Sequence, residues 1–410
     1  MKTSEFLSKA ALFMLLMVFS LFLISCNDND DYFEEDDSDI PGVTIPAKQT
    51  VFMYMPWAEN LYSIFFDNIE YFEYSIEKNK GMDGNALIVF ISQNKQTSNL
   101  IRIYYHDGEC LRDTLKQYDF STCDYTETEG IAEIIDDVID AAPAEKYAMA
   151  IGCHGTGWTP AGTNIGARAA MMNIKNKQIP QTRFFGTGDG GDPFYQTDIT
   201  TLAEAIASSG IKMEYILFDA CYMSNIETVY ELKNVTNYLI ASTCEIMSIG
   251  MPYAEIGIDL LKNNYKNIVD KFYEYYSNYG NYPCGTISIV DCREATAMAE
   301  IMRQINIACP DLPCDVTDIQ DLDGYENTIF FDFGDYVSHL YLDQSLIDAF
   351  NVQLDKLVPY KSNTETYYSS YTGRQYPINT FSGITISDPS VNRSIANVKT
   401  QTNWYMDTHQ

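Results

Sequence analysis

Short apolar runs alternate with amphipathic segments along most of the chain. The runs at residues 50–55, 85–91, 147–151, 215–218 and 238–242 are rich in aliphatic and aromatic side chains and predict buried strands. Further strands are predicted at residues 101–105, 285–290 and 383–387, and helices at residues 61–76, 130–142, 200–208, 224–234, 254–279 and 293–308. Because buried strands that alternate with helices form parallel sheets covered on both faces, this order predicts an α/β fold with a mostly parallel sheet.

The first residues have the pattern of a targeting segment. Lys2 and Lys9 accompany an apolar run at residues 10–24, which is short for a membrane-spanning helix of roughly 20 residues. The run leads into the sequence Leu-Ile-Ser-Cys, which resembles the bacterial lipobox, where the cysteine is diacylated and becomes the new N-terminus. We therefore predict that Cys26 is lipidated and anchors the protein to a membrane, with an uncleaved anchor as the alternative.

An acidic segment follows Cys26. Residues 27–39 contain eight acidic side chains and no basic one, so the segment repels itself and is predicted to be an extended spacer. It resembles the acidic tethers of some surface-exported lipoproteins. We predict a bacterial outer-membrane lipoprotein and leave open whether it faces the periplasm or the cell surface. The predicted organisation is a signal peptide at residues 1–25, a tether at 26–43 and a folded domain at 44–410.

Composition limits the partners and cofactors of the protein. The formal net charge of -31 at pH 7 repels polyanions, which excludes nucleic acid as a partner. The charge indicates a solvated acidic surface, and attraction of basic polypeptides is the alternative. The sequence has four histidines and no cysteine–histidine cluster with zinc-ligand spacing, so we predict no metal and no cofactor. We expect the protein to be a monomer. Nine cysteines remain after Cys26, and because nine is odd, at least one thiol stays unpaired within the chain.

Reactive side chains follow two of the predicted strands. Cys153-His154-Gly155 comes after the third strand and Asp219-Ala220-Cys221 after the fourth. Functional sites of open α/β sheets form beyond the carboxyl ends of strands. An imidazole there can take the proton of a thiol, and the N–H groups of a glycine turn can bind an oxyanion. A small buried cysteine and a structural histidine are the ordinary interpretation of such residues, and the pattern alone leaves both interpretations open.

Two segments carry a resemblance to a known family. Residues 147–158 resemble the histidine segment of the clostripain-type cysteine peptidases, with an apolar strand, His-Gly and a glycine-rich turn ending in Trp158. Residues 215–227 resemble their cysteine segment, Phe-Asp-Ala-Cys-Tyr-Met followed by a helix with Glu227. Weaker likeness extends over roughly residues 48–405. The resemblance implies a caspase-like α/β/α sandwich and a cysteine endopeptidase that cleaves protein or peptide substrates through an acyl-enzyme.

The resemblance also implies roles for individual residues. His154 is the expected general base and Cys221 the nucleophile, while the backbone N–H groups of Gly155 and Cys221 form the oxyanion hole. Asp219 corresponds to one acidic residue of a pocket that accepts arginine or lysine before the scissile bond. Ile249 stands where the family has a second acidic residue. Because a buried cation binds mainly through its carboxylate partners, we expect an altered and more apolar pocket.

Several alternatives remain open at this stage. A surface-binding lipoprotein that lost activity on a caspase-like fold would use the tyrosines of the last third, Tyr367, Tyr368, Tyr371 and Tyr376, as a recognition surface. Transpeptidation by the same thiol and imidazole is a second alternative. Some family members are activated by a cut between the two catalytic segments, which here would fall within residues 159–197. A flexible glycine-rich loop is the plainer interpretation of that segment.

Overall fold

The computed structural model describes five segments of the chain: residues 46–56, 61–94, 96–161, 197–309 and 316–409. The predicted signal peptide, the predicted lipidation site Cys26, the predicted acidic tether and most of the segment between His154 and Cys221 lie outside them. Within these segments, no helix combines the length and the hydrophobicity needed to cross a membrane.

The strands are β1 (Thr50–Met55), β2 (Ala86–Asn94), β3 (Thr97–His106), β4 (Glu109–Tyr118), β5 (Tyr147–Gly152), β6 (Met213–Asp219), β7 (Thr236–Ala241), β8 (Thr286–Asp291), β9 (Phe331–Asp332), β10 (Tyr360–Asn363), β11 (Thr366–Ser369), β12 (Arg374–Pro377) and β13 (Thr385–Ile386). In the described segments, nine of them form one sheet in the order β10-β8-β7-β6-β5-β1-β2-β3-β4. The five central strands, β7 to β2 in that order, are parallel, and antiparallel strands extend the sheet at both edges.

The helices are α1 (Tyr62–Asn79), α2 (Thr128–Ala141), α3 (Ile199–Ser208), α4 (Ile226–Leu232), α5 (Tyr253–Leu261), α6 (Tyr265–Ser277), α7 (Ala295–Ala308), α8 (Phe333–Ser338), α9 (Gln344–Leu357), α10 (Arg393–Lys399) and α11 (Asn403–Thr408). They cover both faces of the sheet, because alternate strand residues point to opposite sides. In β1, Phe52 and Tyr54 belong to a core with α2, α3, α4, α7 and α9, whereas Val51 and Met53 belong to a core with α1, α5 and α6. The predicted α/β/α sandwich is confirmed.

The register of the central strands positions the candidate site. Tyr54 of β1 pairs with Ile151 of β5, and Gly152 at the end of β5 pairs with Asp219 at the end of β6. The chain therefore leaves neighbouring parallel strands at the same level and on the same edge of the sheet. His154 and Cys221 each lie two residues beyond this last pair.

The sequence missed several strands, and their composition explains why. β4 contains charged and polar residues throughout and is largely solvent-accessible at the edge of the sheet, so it lacks the apolar run of a buried strand. Asp107 and Gly108, with φ of 49° and 97°, form the tight turn that joins β3 to β4. The strand predicted at residues 383–387 is shorter than expected, because only Thr385 and Ile386 pair with β9.

Candidate active site

The histidine turn begins directly after β5. His154 is buried, and the next residue, Gly155, packs against the backbone of the cysteine turn. A Cβ atom on Gly155 would lie 2.3 Å from the Cys221 carbonyl oxygen and 2.9 Å from the Cys221 nitrogen. No side chain fits at this position, so the glycine of the His-Gly pair allows the two turns to touch.

The end of the histidine turn is fixed by residues that are distant along the chain. Gly157 has a φ of 64°, a value that favours glycine, and a Cβ on it would lie 2.6 Å from the Phe330 ring. The indole N–H of Trp158 donates a hydrogen bond to the Ser387 hydroxyl at 2.7 Å. Residues from the C-terminal third of the chain therefore hold the turn that carries His154.

The cysteine turn follows β6 and is buried. Cys221 is 0% exposed, and its sulfur accepts a hydrogen bond from the Ile246 N–H at 3.3 Å and lies 3.9 Å from the Ile246 carbonyl oxygen. Ile246 belongs to the segment that follows β7. The Cys221 thiol is thus buried against the backbone of the segment that follows β7.

Helix α4 begins immediately after this turn. The Asn225 side-chain oxygen accepts a hydrogen bond from the Thr228 N–H at 2.8 Å and caps the helix. The same side chain donates through Nδ2 to the Tyr222 carbonyl at 2.8 Å. One asparagine therefore caps the helix and fixes the peptide that follows Tyr222.

The predicted pocket residues lie close to one another in the fold. Asp219 is 0% exposed, and its Oδ1 accepts a hydrogen bond from the Met251 N–H at 3.0 Å. The Ile249 carbonyl accepts from Asn68 Nδ2 of α1 at 2.8 Å, and the Ile249 side chain packs on the core around α1 and α5. The structure thus brings Asp219 and the segment at residues 249–251 together, while their role in substrate binding stays a prediction.

A cavity borders the histidine turn. It has a volume of about 110 Å³, and its walls include His154, Tyr54, Leu202 and Phe218. The sulfur of Cys221 contacts the Ile246 backbone, and Gly155 packs against the backbone of Cys221. The general-base and nucleophile roles of the two side chains remain predictions.

Three other thiols of the described segments are unsuited to nucleophilic attack. Burial raises the pKa of the Cys110 thiol to about 12 and that of the Cys123 and Cys244 thiols to about 11. At Cys244, hydrogen bonds with Thr286 and Ser242 lower the pKa but do not outweigh the effect of burial. Because the thiolate is the reactive form, these three groups are almost entirely protonated and unreactive at neutral pH. None of the described histidine, cysteine, aspartate and glutamate side chains form a group of three or more that could hold a metal ion.

Sequence reasoning missed residues that surround the cysteine turn. Tyr222 follows Cys221 directly and has a φ of 63°, a left-handed conformation that no local pattern indicates for a tyrosine. Glu245 and Phe330 contact Tyr222 from segments distant along the chain. The one available signal was Glu245 itself, a charged residue among uncharged neighbours just beyond a buried strand.

An α/β/α sandwich with a His-Gly turn against a cysteine turn, at the carboxyl ends of neighbouring parallel strands, defines a caspase-like cysteine peptidase. The chain belongs to the clostripain family, whose family model matches residues 53–383. The family expected from the two catalytic segments is thereby confirmed, and so is the class of enzyme, a cysteine peptidase.

Solved structures agree with this assignment. A secreted C11 cysteine protease from Bacteroides thetaiotaomicron, "iotapain", is 47% identical with a TM-score of 0.79, over 89% of this chain and all of that chain. A clostripain from the same organism, in complex with the peptide inhibitor BTN-VLTK-AOMK, is 54% identical with a TM-score of 0.52, over 55% of this chain and 99% of that chain. An inactive zymogen C11 protease from Parabacteroides distasonis is 25% identical with a TM-score of 0.74, over 90% of this chain and all of that chain. No curated protein matches the chain.

Proposed function

We propose that the protein is a cysteine endopeptidase in which Cys221 is the nucleophile and His154 the general base. The observation that carries this proposal is the contact of the Gly155 backbone with the Cys221 backbone, at the paired ends of β5 and β6. This contact keeps an imidazole-bearing turn and a thiol-bearing turn together, as thiol activation requires.

The reaction follows from these roles. His154 takes the thiol proton while the Cys221 sulfur attacks the carbonyl carbon of the scissile bond. The tetrahedral oxyanion accepts hydrogen bonds from the Gly155 and Cys221 N–H groups. His154 then gives its proton to the departing amine, which leaves a thioester. Water attacks the thioester with His154 as base, the carboxylic acid is released, and the proton returns to the thiol.

The test is hydrolysis of a mixed peptide library by the full chain and its variants. We expect Cys221→Ala and His154→Ala to lower kcat/KM by at least about a thousandfold, because thiol and imidazole act as one unit. Cys110→Ala is the matched control, since this half-buried thiol lies at the β3–β4 edge and should leave the rate unchanged. Cleavage that survives in Cys221→Ala would refute the proposal.

We further propose that the pocket has moved away from strict arginine or lysine preference. Ile249 supplies an apolar side chain two residues before Met251, whose N–H donates to Oδ1 of the buried Asp219. A relative was crystallised with BTN-VLTK-AOMK, so lysine belongs among the residues tested. We expect wild type to accept apolar residues before the cleaved bond. In Ile249→Asp, kcat/KM for substrates with arginine at that position should rise about ten- to a hundredfold, because the new carboxylate pairs with the guanidinium. A strong arginine preference in wild type would reject the idea.

Self-processing is proposed for the segment between the two turns. The enclosed Cys221 sulfur supports a resting state that must be opened, and a relative is described as an inactive zymogen. Arg168, Lys175, Lys177 and Arg183 lie in this segment, outside the described residues. Gel analysis of wild type beside Cys221→Ala tests the proposal, and a single intact chain in both would reject it.

The inactive-binder alternative loses part of its basis. Tyr367 and Tyr368 are each 1% exposed, so they belong to the protein interior and cannot form the recognition surface expected of them. Transpeptidation differs from hydrolysis only in the nucleophile that attacks the thioester. Mass spectrometry of products formed with added glycinamide separates the two, since a transpeptidase would yield the amide and a hydrolase the free acid.

Envelope location and anchoring are also proposals. A close relative is described as secreted, and the lipobox-like sequence ending at Cys26 supports an anchored lipoprotein of the outer membrane, with the organisation 1–25, 26–43 and 44–410. Detergent phase partition of cells expressing wild type and Cys26→Ala is the test. We expect wild type in the detergent phase and the variant in the aqueous phase, and equal partition would remove the lipid anchor from the proposal.

A further inference from the structure

The residue after the proposed nucleophile has an unusual backbone. Tyr222 has a φ of 63°, in the left-handed region that residues with a Cβ rarely adopt. Its N–H donates to the Cys244 carbonyl at 3.1 Å, so the peptide between Cys221 and Tyr222 has one fixed orientation. That peptide contains the Cys221 carbonyl oxygen on which Gly155 packs.

Side-chain contacts hold Tyr222 in this conformation. Its ring stacks on the Phe330 ring with centroids 5.2 Å apart and planes 10° apart. Its hydroxyl donates to Glu245 Oε1 at 2.9 Å, and both residues are buried. Burial and the Glu245 charge keep the pKa of Tyr222 well above its usual value, so the phenol is a permanent donor. Unusual backbone of this kind persists only where its surroundings determine it in this way.

Glu245 connects this contact to the sulfur. Its Oε1 also accepts the Ser370 N–H at 2.9 Å, which ties it to the segment after β11. The following residue, Ile246, donates its N–H to the Cys221 sulfur at 3.3 Å. One carboxylate thus fixes the residue after the nucleophile and lies next to the residue that contacts the nucleophile's sulfur.

We propose that Tyr222 and Glu245 are positioning residues for the reaction at Cys221. Their hydrogen bond holds the 221–222 peptide and thereby the backbone of Cys221, whose N–H lies in the preceding peptide and faces the oxyanion. This inference rests on the proposed role of Cys221. Without the hydroxyl of Tyr222, the ring keeps its stacking on Phe330, but the left-handed backbone loses its polar anchor. The 221–222 peptide can then rotate and shift the Cys221 backbone, which displaces the Cys221 N–H from the oxyanion.

Two probes separate the oxyanion donor from the thiol itself. Inactivation by BTN-VLTK-AOMK, an acyloxymethyl ketone, begins with sulfur attack on the ketone carbon and passes through an oxyanion. It ends when a carbon–sulfur bond replaces the bond to the acyloxy group, which leaves as a carboxylate. Iodoacetamide, in contrast, alkylates the sulfur by displacing iodide and forms no oxyanion. We expect Tyr222→Phe to slow ketone inactivation of the full chain by about ten- to a hundredfold, the effect of a misplaced donor. Iodoacetamide labelling of Cys221, measured by mass spectrometry, should change less than threefold.

Matched variants distinguish positioning from general stability. Glu245→Gln keeps an oxygen acceptor, and its rate of ketone inactivation should stay within about threefold of wild type. Glu245→Ala should slow ketone inactivation as much as Tyr222→Phe does. The double variant Tyr222→Phe with Glu245→Ala should be no slower than either single variant. Tyr215→Phe removes another buried hydroxyl, one that donates to the Leu260 carbonyl at 3.1 Å in the first half of β6, and should leave both rates unchanged.

The outcomes distinguish this inference from the function on which it rests. If wild type labels with both probes at Cys221 and Tyr222→Phe retains the wild-type ketone rate, the positioning role is wrong and the peptidase proposal stands. If Tyr222→Phe reacts more slowly with both probes by the same factor, the positioning role is also wrong, because this result would indicate a general loss of the folded site. If wild type shows no Cys221-dependent labelling with either probe, the proposed function fails and the positioning role with it.

Discussion

Replacing Lys399 with methionine tests how the C-terminal helices support the active site. The Lys399 amine forms an ion pair with the Glu227 carboxylate, with side-chain exposures of 3% and 0%. Glu227 Oε1 also accepts the Ser387 N–H at 3.0 Å, and the Lys399 amine lies 5.3 Å from the centre of the Trp158 ring. Burial lowers the pKa of Lys399, and the charge of Glu227 opposes that change. Lys399 and Glu227 therefore form a buried ion pair between α10 and the first turn of α4.

The expected magnitude follows from burial. Lys399→Met preserves volume but leaves Glu227 buried without its counter-charge, which costs about 3–5 kcal/mol of unfolding free energy. Residues 46–410 form one folded unit, and unfolding entropy for that size is about 0.75 kcal/mol per degree. The loss therefore corresponds to a fall in Tm of about 5 °C.

Scanning calorimetry at pH 7 and a fixed heating rate measures this effect. The double variant Lys399→Met with Glu227→Gln removes both charges and keeps an oxygen for the Ser387 N–H, so it should recover at least half of the lost Tm. A fall of less than about 1 °C in the single variant would show that the ion pair is not a buried charge network of this strength. So would a double variant that is no more stable than the single one.

Three further predictions concern the site and its support. Gly155→Ala should lower kcat/KM by about a hundredfold with an unchanged circular dichroism spectrum, since its Cβ would lie 2.3 Å from the Cys221 carbonyl oxygen; wild-type kinetics would contradict the close packing. Asn68→Ala should raise KM for peptide hydrolysis about three- to tenfold with kcat retained, because the Ile249 carbonyl loses its hydrogen-bond donor. An unchanged KM would show that the position of Ile249 does not affect substrate binding. Burial raises the pKa of Asp323 to about 7, so its contribution to stability is present below the unfolded pKa near 4 and is lost as pH rises through 7. Tm of Asp323→Asn should therefore change less than that of wild type between pH 4.5 and 7.5, and parallel curves would refute this.

The buried strands and their connecting helices could be predicted because their side chains carry the pattern. β1 and β5 are short apolar runs that end at a proline or glycine, and α2 places isoleucines on one face at helical spacing. β4 and β12 could not be predicted in this way, because their mostly polar residues form an edge strand and a short hairpin strand. Backbone pairing with a neighbour, which leaves no local pattern, defines these elements.

The candidate site divides in the same manner. His154 and Cys221 could be identified because strand ends and family-like segments are local features of the sequence. The contacts of Tyr222 with Glu245 and Phe330 join residues 23 and 108 positions apart, and only the folded chain brings them together. The left-handed φ of Tyr222 is likewise a consequence of these tertiary contacts, since nothing in tyrosine itself favours it.

The strand order has a consequence for how the site tolerates a broken chain. Every sheet strand up to β5 lies on one side of the β5–β6 pair, and every sheet strand from β6 onward lies on the other. The nine-stranded sheet of the described residues thus consists of two halves that meet at the β5–β6 pair, and the turns with His154 and Cys221 lie at one end of that pair. Backbone hydrogen bonds along β5 and β6, together with packing of Phe72 of α1 against Tyr253 of α5, hold the halves together without the intervening segment. A chain cut there would remain one folded body, and any small slide between the halves would change the alignment of base and nucleophile.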